Sequence, residues 1–263
     1  MQDIAIFDHQ TEEYGTIETT GATVKPWFKA IGYLVDEAKV NFESDGLHVT
    51  AVDAANVGMI DARLHKDAFD TYDVDEHTQG FDINKFVHGV RRARVNSDDE
   101  LTLSLGNNET KAVVSRGYDQ TNVVSQNTIK AIDPDSIRQE PDIPDLELSA
   151  AATVDYKPFM DALDHVVAHD TKMKLGTAGT NLLFGREYTL GSAEVVFDGI
   201  DVGVDIAKTW FSGDYVQELQ RMLKKVRPDT VTLEWGEEMP LYAYFGTEFA
   251  EYTFVLAPRI QSN

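Results

Sequence analysis

Two histidines and a scatter of carboxylates are the residues of this chain whose types and spacing could do chemistry. His165-x-x-x-His169 has the i, i+4 spacing that puts two imidazoles on one helix face, with Asp164 and Asp170 beside them. Such a set would serve a metal-dependent hydrolase. The helix carrying His165 is expected to end near Val167, however. That leaves His169 in the following turn, and no His-Glu pair supplies the protease signature. Two solvated histidines are the plainer reading, so no metal ligand, cofactor or catalytic residue is assigned. The groups Asp73/Asp75/Glu76, Asp98/Asp99/Glu100 and Glu237/Glu238 could pass for acid–base pairs, but 45 acids in 263 residues cluster by chance. The chain has no Cys, which excludes a disulfide framework, a thiolate metal site and a cysteine nucleophile together. It lacks the G-x-x-x-x-G-K-[ST] loop of an ATPase, and the Gly-rich residues 176–180 read as a hairpin loop.

The cations are more informative. Apolar spacing predicts four helices, at residues 24–35, 83–95, 156–167 and 214–227. Thr23 can cap the first, with Pro26 in its opening turn, and Asp82 can cap the second. Together they hold 11 of the 23 Lys and Arg but only four of the 45 Asp and Glu, a net of +7. The remainder of the chain is at −29, within a total of −22. Lys25 and Lys29 lie on the first helix; Lys85, His88, Arg91, Arg92 and Arg94 on the second; Lys157 alone on the third; Arg221, Lys224, Lys225 and Arg227 on the fourth. One basic helix face is usually just solvated. Four of them inside an acidic protein suit contact with phosphates and no reading of bases, as in sequence-independent DNA binding.

The elements that position these helices repeat. Strands are expected at residues 40–42, 47–52 and 58–64, the first two joined by a Glu43-Ser44-Asp45-Gly46 turn, and again at 101–105 and 111–115. Lys25-Pro26-Trp27-Phe28 returns as Lys157-Pro158-Phe159-Met160, an offset of 132, while Arg91, Arg94, Leu101 and Leu103 return as Arg221, Lys224, Val231 and Leu233, an offset of 130. A common offset near half the chain, in one element order, argues for tandem duplication. Between the halves, residues 131–146 carry Pro134, Pro141 and Pro144 and read as an extended connector at the domain boundary. No run approaches the roughly 18 apolar residues of a membrane helix. The first ten residues carry acids where a signal peptide would be basic, and a soluble protein of a salt-rich cytoplasm, associated with the nucleoid, is expected.

These residues bear a resemblance. Asp45-Gly46-Leu47, Ala51-Val52-Asp53-Ala54-Ala55-Asn56-Val57-Gly58-Met59, the connector at 132–146 and the terminal Leu256-Ala257-Pro258-Arg259-Ile260 are similar to the DNA sliding clamps, the proliferating cell nuclear antigen family, most of all its haloarchaeal members. The resemblance implies an α+β fold of two similar domains, each of two βαβββ units, closing as a ring of three with the helices lining the hole. It divides the chain into an N-terminal extension (1–15), a clamp domain (16–130), the connector (131–146) and a second clamp domain (147–263).

By the same resemblance the subunit interface joins the strand holding Lys111, Val113, Ser115 and Arg116 to the one holding Ala193, Val195 and Phe197 in the next copy. The implied function is a processivity factor and docking platform in DNA replication and repair, not an enzyme. Its partners would be duplex DNA, its own copies, and polymerase, clamp loader, flap nuclease and ligase through client-motif peptides. The peptide pocket would use Val52, Asn56, Val57 and Met59 with Ile143 and Pro144 of the connector, completed by Pro240, Val255, Ala257, Pro258 and Ile260. Val255 stands where many relatives have Tyr, and Pro141 where an aliphatic is common. A paralogue in a mixed ring, or one serving a virus or plasmid, remains the alternative.

Overall fold

The computed structural model describes residues 13–95, 99–138, 142–144, 146–168, 171–202 and 208–259. Each half passes twice through one order: strand, helix, three strands. The first half opens with β1 (Glu13–Thr20), α1 (Gly21–Ile31), β2 (Glu37–Glu43), β3 (Gly46–Val52) and β4 (Gly58–His65). After the short β5 (Thr71–Val74) come β6 (His77–Asp82), α2 (Ile83–Gly89), β7 (Glu100–Gly106), β8 (Glu109–Tyr118) and β9 (Thr121–Lys130). The second half has β10 (Ala150–Asp155), α3 (Tyr156–Val166), β11 (Lys172–Ala178), β12 (Asn181–Tyr188) and β13 (Gly191–Asp201). It ends with β14 (Thr209–Ser212), α4 (Gly213–Val226), β15 (Thr230–Trp235), β16 (Leu241–Gly246) and β17 (Ala250–Leu256). The duplication is present element for element among the described residues, with β5 as the addition.

Three antiparallel sheets result, in the orders β5-β1-β7-β8-β9, β10-β15-β16-β17-β4-β3-β2-β6 and β13-β12-β11-β14. The middle sheet joins the halves. β17 pairs with β4 from Ala250↔Leu64 to Leu256↔Gly58, so eight strands run on across the boundary that the connector marks in sequence. Alternation sends Ile60, Ala62 and Leu64 of β4 inward and Met59, Asp61 and Arg63 outward. The helices cover the inward face. α1 buries Val24, Trp27, Phe28 and Ile31, Phe28 stacks on Phe86 of α2 at 3.9 Å between ring centroids, and α4 buries Val216, Leu219, Met222 and Leu223. α1 lies between α2 and α4, and α3 packs on α4. Burial of these stripes leaves the polar sides of the helices outward together.

Several expectations are corrected. α1 starts three residues early, capped by Thr20, whose hydroxyl accepts from the Ala22 amide at 3.3 Å; Thr23 is not the cap. α2 is capped by Asp82 as expected but stops at Gly89. Beyond it the chain tightens, with the Arg91 and Ala93 amides donating three residues back to His88 and Val90. Gly89 lies where an added Cβ would be 2.6 Å from Ile129, so only glycine lets β9 approach there. β1 begins at Glu13, so residues 13–15 belong to the fold rather than to an extension. The Gly-rich run lies mostly within β11, and only Gly179 and Thr180 turn. The connector contains one 3-10 turn, Pro134–Ser136, capped by Asp133.

The expected interface strand is also corrected. β8 is paired on both sides: Lys111 faces Ser104 of β7 and Thr128 of β9, and Val113 and Ser115 are likewise enclosed. The edges of that sheet are β5 and β9, and the edge next to β8 is β9. At the other end, β13 is an edge as expected, with Ala193, Val195 and Phe197 packed toward the core.

Candidate functional site

Two regions gather the residues singled out in the sequence. The first is the outward side of the helices. Lys25 and Lys29 of α1 come close to Lys225 of α4, with Arg227 at its left-handed cap (φ 55°). Burial first, then mutual repulsion, holds the Lys25 and Lys225 ammonium groups below their ordinary range: Lys29 and Lys225 act on Lys25, and Lys29 and Arg227 on Lys225. Like charges held together in the free protein are relieved by an anion, and a row of phosphates would supply one. Lys25 Nζ also donates to the carbonyls of Arg91, at 3.1 Å, and Ala93, tying α1 to the turns that follow α2.

The remaining helix cations differ in what holds them. Lys85 pairs with Asp82 at 2.8 Å, Arg221 with Glu218 at 2.7 Å and Lys224 with Asp164 of α3 at 3.0 Å. Arg91 donates to the His88 carbonyl at 3.0 Å. Arg94 is not a simple outward cation. It and Arg116 grip the buried Asp99 from two sides, at 3.0 and 2.9 Å, a structural clamp that ties the turn after α2 to β8. Arg116 also donates to the Arg92 carbonyl at 2.6 Å, so it too serves the fold and not an exposed strand edge. Lys29, Arg92, Lys157 and Arg227 are exposed and form no ion pair among the described residues.

The second region is a row of residues on the opposite face of the middle sheet. Register places Val52, Met59, Val255 and Tyr242 in one row across β3, β4, β17 and β16. The loop before β4 is set by Asp53, whose carboxylate accepts from the amides of Ala55 (2.8 Å), Val57 (2.7 Å) and Gly58 (2.8 Å) and from the Tyr215 hydroxyl of α4. Burial alone would raise that carboxyl; the four donors outweigh it and hold it below the usual range, while the Tyr215 hydroxyl, partly buried against this carboxylate, is pushed up to about 12. Asn56 takes the left-handed conformation at φ 59°. Arg138 of the connector donates to the Asp53 carbonyl at 2.8 Å and to the Asn56 side chain. Tyr242 donates to the Pro144 carbonyl, and Ala257 to the Val57 carbonyl at 2.9 Å.

The structure therefore brings Val52, Asn56, Val57, Met59, Ile143, Pro144 and Ala257 round one apolar row, with Pro258 following and Pro240 just before β16. Val255 is only 4% exposed and forms floor rather than wall. Ile260, Pro141 and His169 lie outside the described residues. Arg138, Tyr215 and Tyr242 were missed in the sequence. Arg138 carried a signal, as the one cation among five acids in the connector.

Residues 17–137 match the family model for the N-terminal domain of proliferating cell nuclear antigen. The DNA polymerase sliding clamp of Haloarcula marismortui is 35% identical over 254 residues, which cover 92% of this chain and 96% of that one. The chain belongs to the sliding-clamp family. A second sliding clamp, from Natronomonas pharaonis, is 33% identical over 94% of this chain and 97% of its own. Among solved structures, A. fulgidus PCNA bound to the C-terminal region of FEN-1 superposes with a TM-score of 0.78 at 25% identity, covering 94% of this chain and 99% of that chain. Thermococcus kodakaraensis PCNA, at 22% identity, gives 0.77 over 93% and 99% and supports the fold.

The molecule is thus a DNA polymerase sliding clamp, a processivity factor and not an enzyme. The hydrolase alternative falls with that assignment; His165 is exposed on α3, and His169 and Asp170 lie outside the described residues.

Proposed function

We infer that three copies of this chain close head-to-tail into a ring around duplex DNA, each contributing two clamp domains (13–130 and 147–263) bridged by the connector. The observation that carries this is the β17–β4 seam. β17 ends its βαβββ unit, and so does its counterpart β9; β4 ends the first unit of its half, and so does its counterpart β13. Inside the chain the first kind of strand pairs with the second. β9 and β13 are left as open edges, and a second copy offers each the partner its counterpart already has. Tyr118, Val123 and Val124 at one edge and Tyr188, Leu190 and Val196 at the other are exposed large hydrophobics, which a lone copy would leave in water.

In that ring the α1/α4 cations Lys25, Lys29, Lys225 and Arg227, with Arg92 and Lys157, would face the duplex and contact phosphates regardless of sequence. The row from Val52 to Tyr242, under Arg138 and Pro144, would take client peptides of polymerase, clamp loader, flap nuclease or ligase. The A. fulgidus PCNA structure carries the C-terminal region of FEN-1, a client of this kind. The acidic remainder suits a salt-rich cytoplasm.

Light scattering in molar KCl tests the ring. Three chains of 29.3 kDa give about 88 kDa. A monomer there would point instead to an assembly of unlike subunits; PCNA2 and PCNA3 of Sulfolobus tokodaii form a complex with each other.

A further inference from the structure

The chain contains one clamp junction complete in itself, and it specifies what the open junction must supply. Where β17 meets β4, the loop before β4 rests against two things. The Val57 carbonyl accepts from the Ala257 amide just past β17. The start of α4 touches the loop through Tyr215, which binds Asp53 and stands 3.0 Å from where a Cβ on Gly58 would be. In the open junction the counterpart of that loop is the tight turn between β12 and β13, Thr189-Leu190. The counterpart of the shelf beyond β17 is the end of β9, and that of the start of α4 is the start of α2.

The residues at those two places already line a single cleft. It has a volume of about 780 Å3 between Asn84, Lys85, His88 and Gly89 of α2 and Asn127 to Ile132. Gly89 and the buried Ile129 make its floor. Leu190, the residue that the repeat directs into it, is 93% exposed, the most exposed large hydrophobic among the described residues.

The helices on either side carry a second sign. Within the chain, Lys29 of α1 faces Lys225 of α4 and the two repel. By the offsets of 132 and 130, Lys29 corresponds to Asp161 of α3 and Lys225 to Val95, just after α2. Asp161 is exposed, Val95 is 42% exposed, and Arg91 and Arg92 beside Val95 are exposed as well. Where the junction within the chain sets two lysines against each other, the residues at the corresponding places of the open junction are an acid on one side and an apolar residue with two arginines close in sequence on the other.

We propose that Leu190 of one copy seats in the cleft between α2 and β9 of the next, with Asp161 against the arginines that follow α2, and that this contact closes the clamp. The proposal rests on the ring reading and names what holds the ring shut. It gives α3 its role: a helix with one lysine and two aspartates faces a subunit and contributes little to DNA.

Because the chain has no Cys, an engineered pair reads out the seat directly. The registers of β16 with β17 and of β8 with β9 make Lys130 the counterpart of Ala257, so Leu190→Cys with Lys130→Cys should bond between copies on oxidation and give a covalent ladder ending at three chains. Neither single variant should exceed two. Separately, Leu190→Asp should raise the trimer dissociation constant about tenfold or more, and Leu190→Met should not. Asp161→Arg should weaken the trimer, and Arg91→Asp with Arg92→Asp should recover it. Leu190 is a turn residue in water, so its substitution leaves the subunit fold intact by circular dichroism. A trimeric wild type with no cross-link and a trimeric Leu190→Asp variant would overturn the seat and leave the ring standing. A monomeric wild type would overturn both.

Discussion

Asp53 organises the loop before β4 although its type suggested only one more acid among many. It is nearly buried, it orders three amides of the loop before β4, and it reaches into the other half of the chain through Tyr215. Its carboxyl titrates below the ordinary carboxylate range because four donors favour the charged form. A depressed carboxyl contributes stability that is complete above about pH 4, the unfolded value, and that is lost as pH falls through the folded value. Asp53→Asn should therefore cost about 1–3 kcal/mol at neutral pH, since an amide keeps one acceptor oxygen and adds donors where donors already point. The gap between wild type and variant should narrow below about pH 4. Urea unfolding at pH 7 and pH 3 in molar KCl measures it, and a gap that persists undiminished at pH 3 would mean that shape and not charge is responsible. The sequence could not show this role, because three of the donors are backbone amides of a loop whose course only the fold determines. The motif around Asp53 was visible; the hydroxyl partner, 162 positions away, was not.

At the scale of elements, what was legible followed periodicity. α3 and α4 were placed to within a residue, because their apolar stripes are long and regular. α2 was drawn six residues too long, since cations continue at helical spacing through Arg94 while the backbone stops at Gly89 for a contact with Ile129 that no local pattern records. The interface strand was misplaced for a similar reason. Alternation identifies β8 as a strand but not its position in the sheet, and β9 announces itself poorly because Val123, Val124 and Ile129 do not alternate regularly with its polar residues. The cation pattern survived in modified form. Lys25, Lys29, Lys225 and Arg227 converge from α1 and α4, whereas Arg94 is committed to Asp99. Replacing Lys29, Lys225 and Arg227 by Gln should weaken DNA association and flatten its salt dependence by roughly 0.9 log unit per lost phosphate contact. Fluorescence anisotropy over a KCl series reads the slope. The mass in solution should be unchanged, and a ring that falls apart would make these cations structural.

The whole molecule sets two electrostatic terms of opposite sign against each other. Each chain carries −22, with the acids concentrated away from the helices, so bringing copies together in dilute buffer crowds like charge. The screening length is about 10 Å at 0.1 M salt and about 3 Å at 1 M. Asp161 against the arginines after α2 works the other way, since salt weakens an attraction. Magnitude decides the sum. One exposed pair is worth about 0–1 kcal/mol per junction, while self-repulsion acts among dozens of carboxylates on every copy and grows with net charge. The trimer should therefore tighten as KCl rises from 0.1 to 2 M, and its thermal midpoint should rise with it. In Asp161→Asn the tightening should be steeper than in wild type, because the one contribution that salt erodes is gone. Sedimentation of both proteins across the same salt series measures this. Equal slopes would mean that Asp161 meets no cation across the junction, and a wild-type trimer indifferent to salt would mean that the acidic surface does not act on assembly.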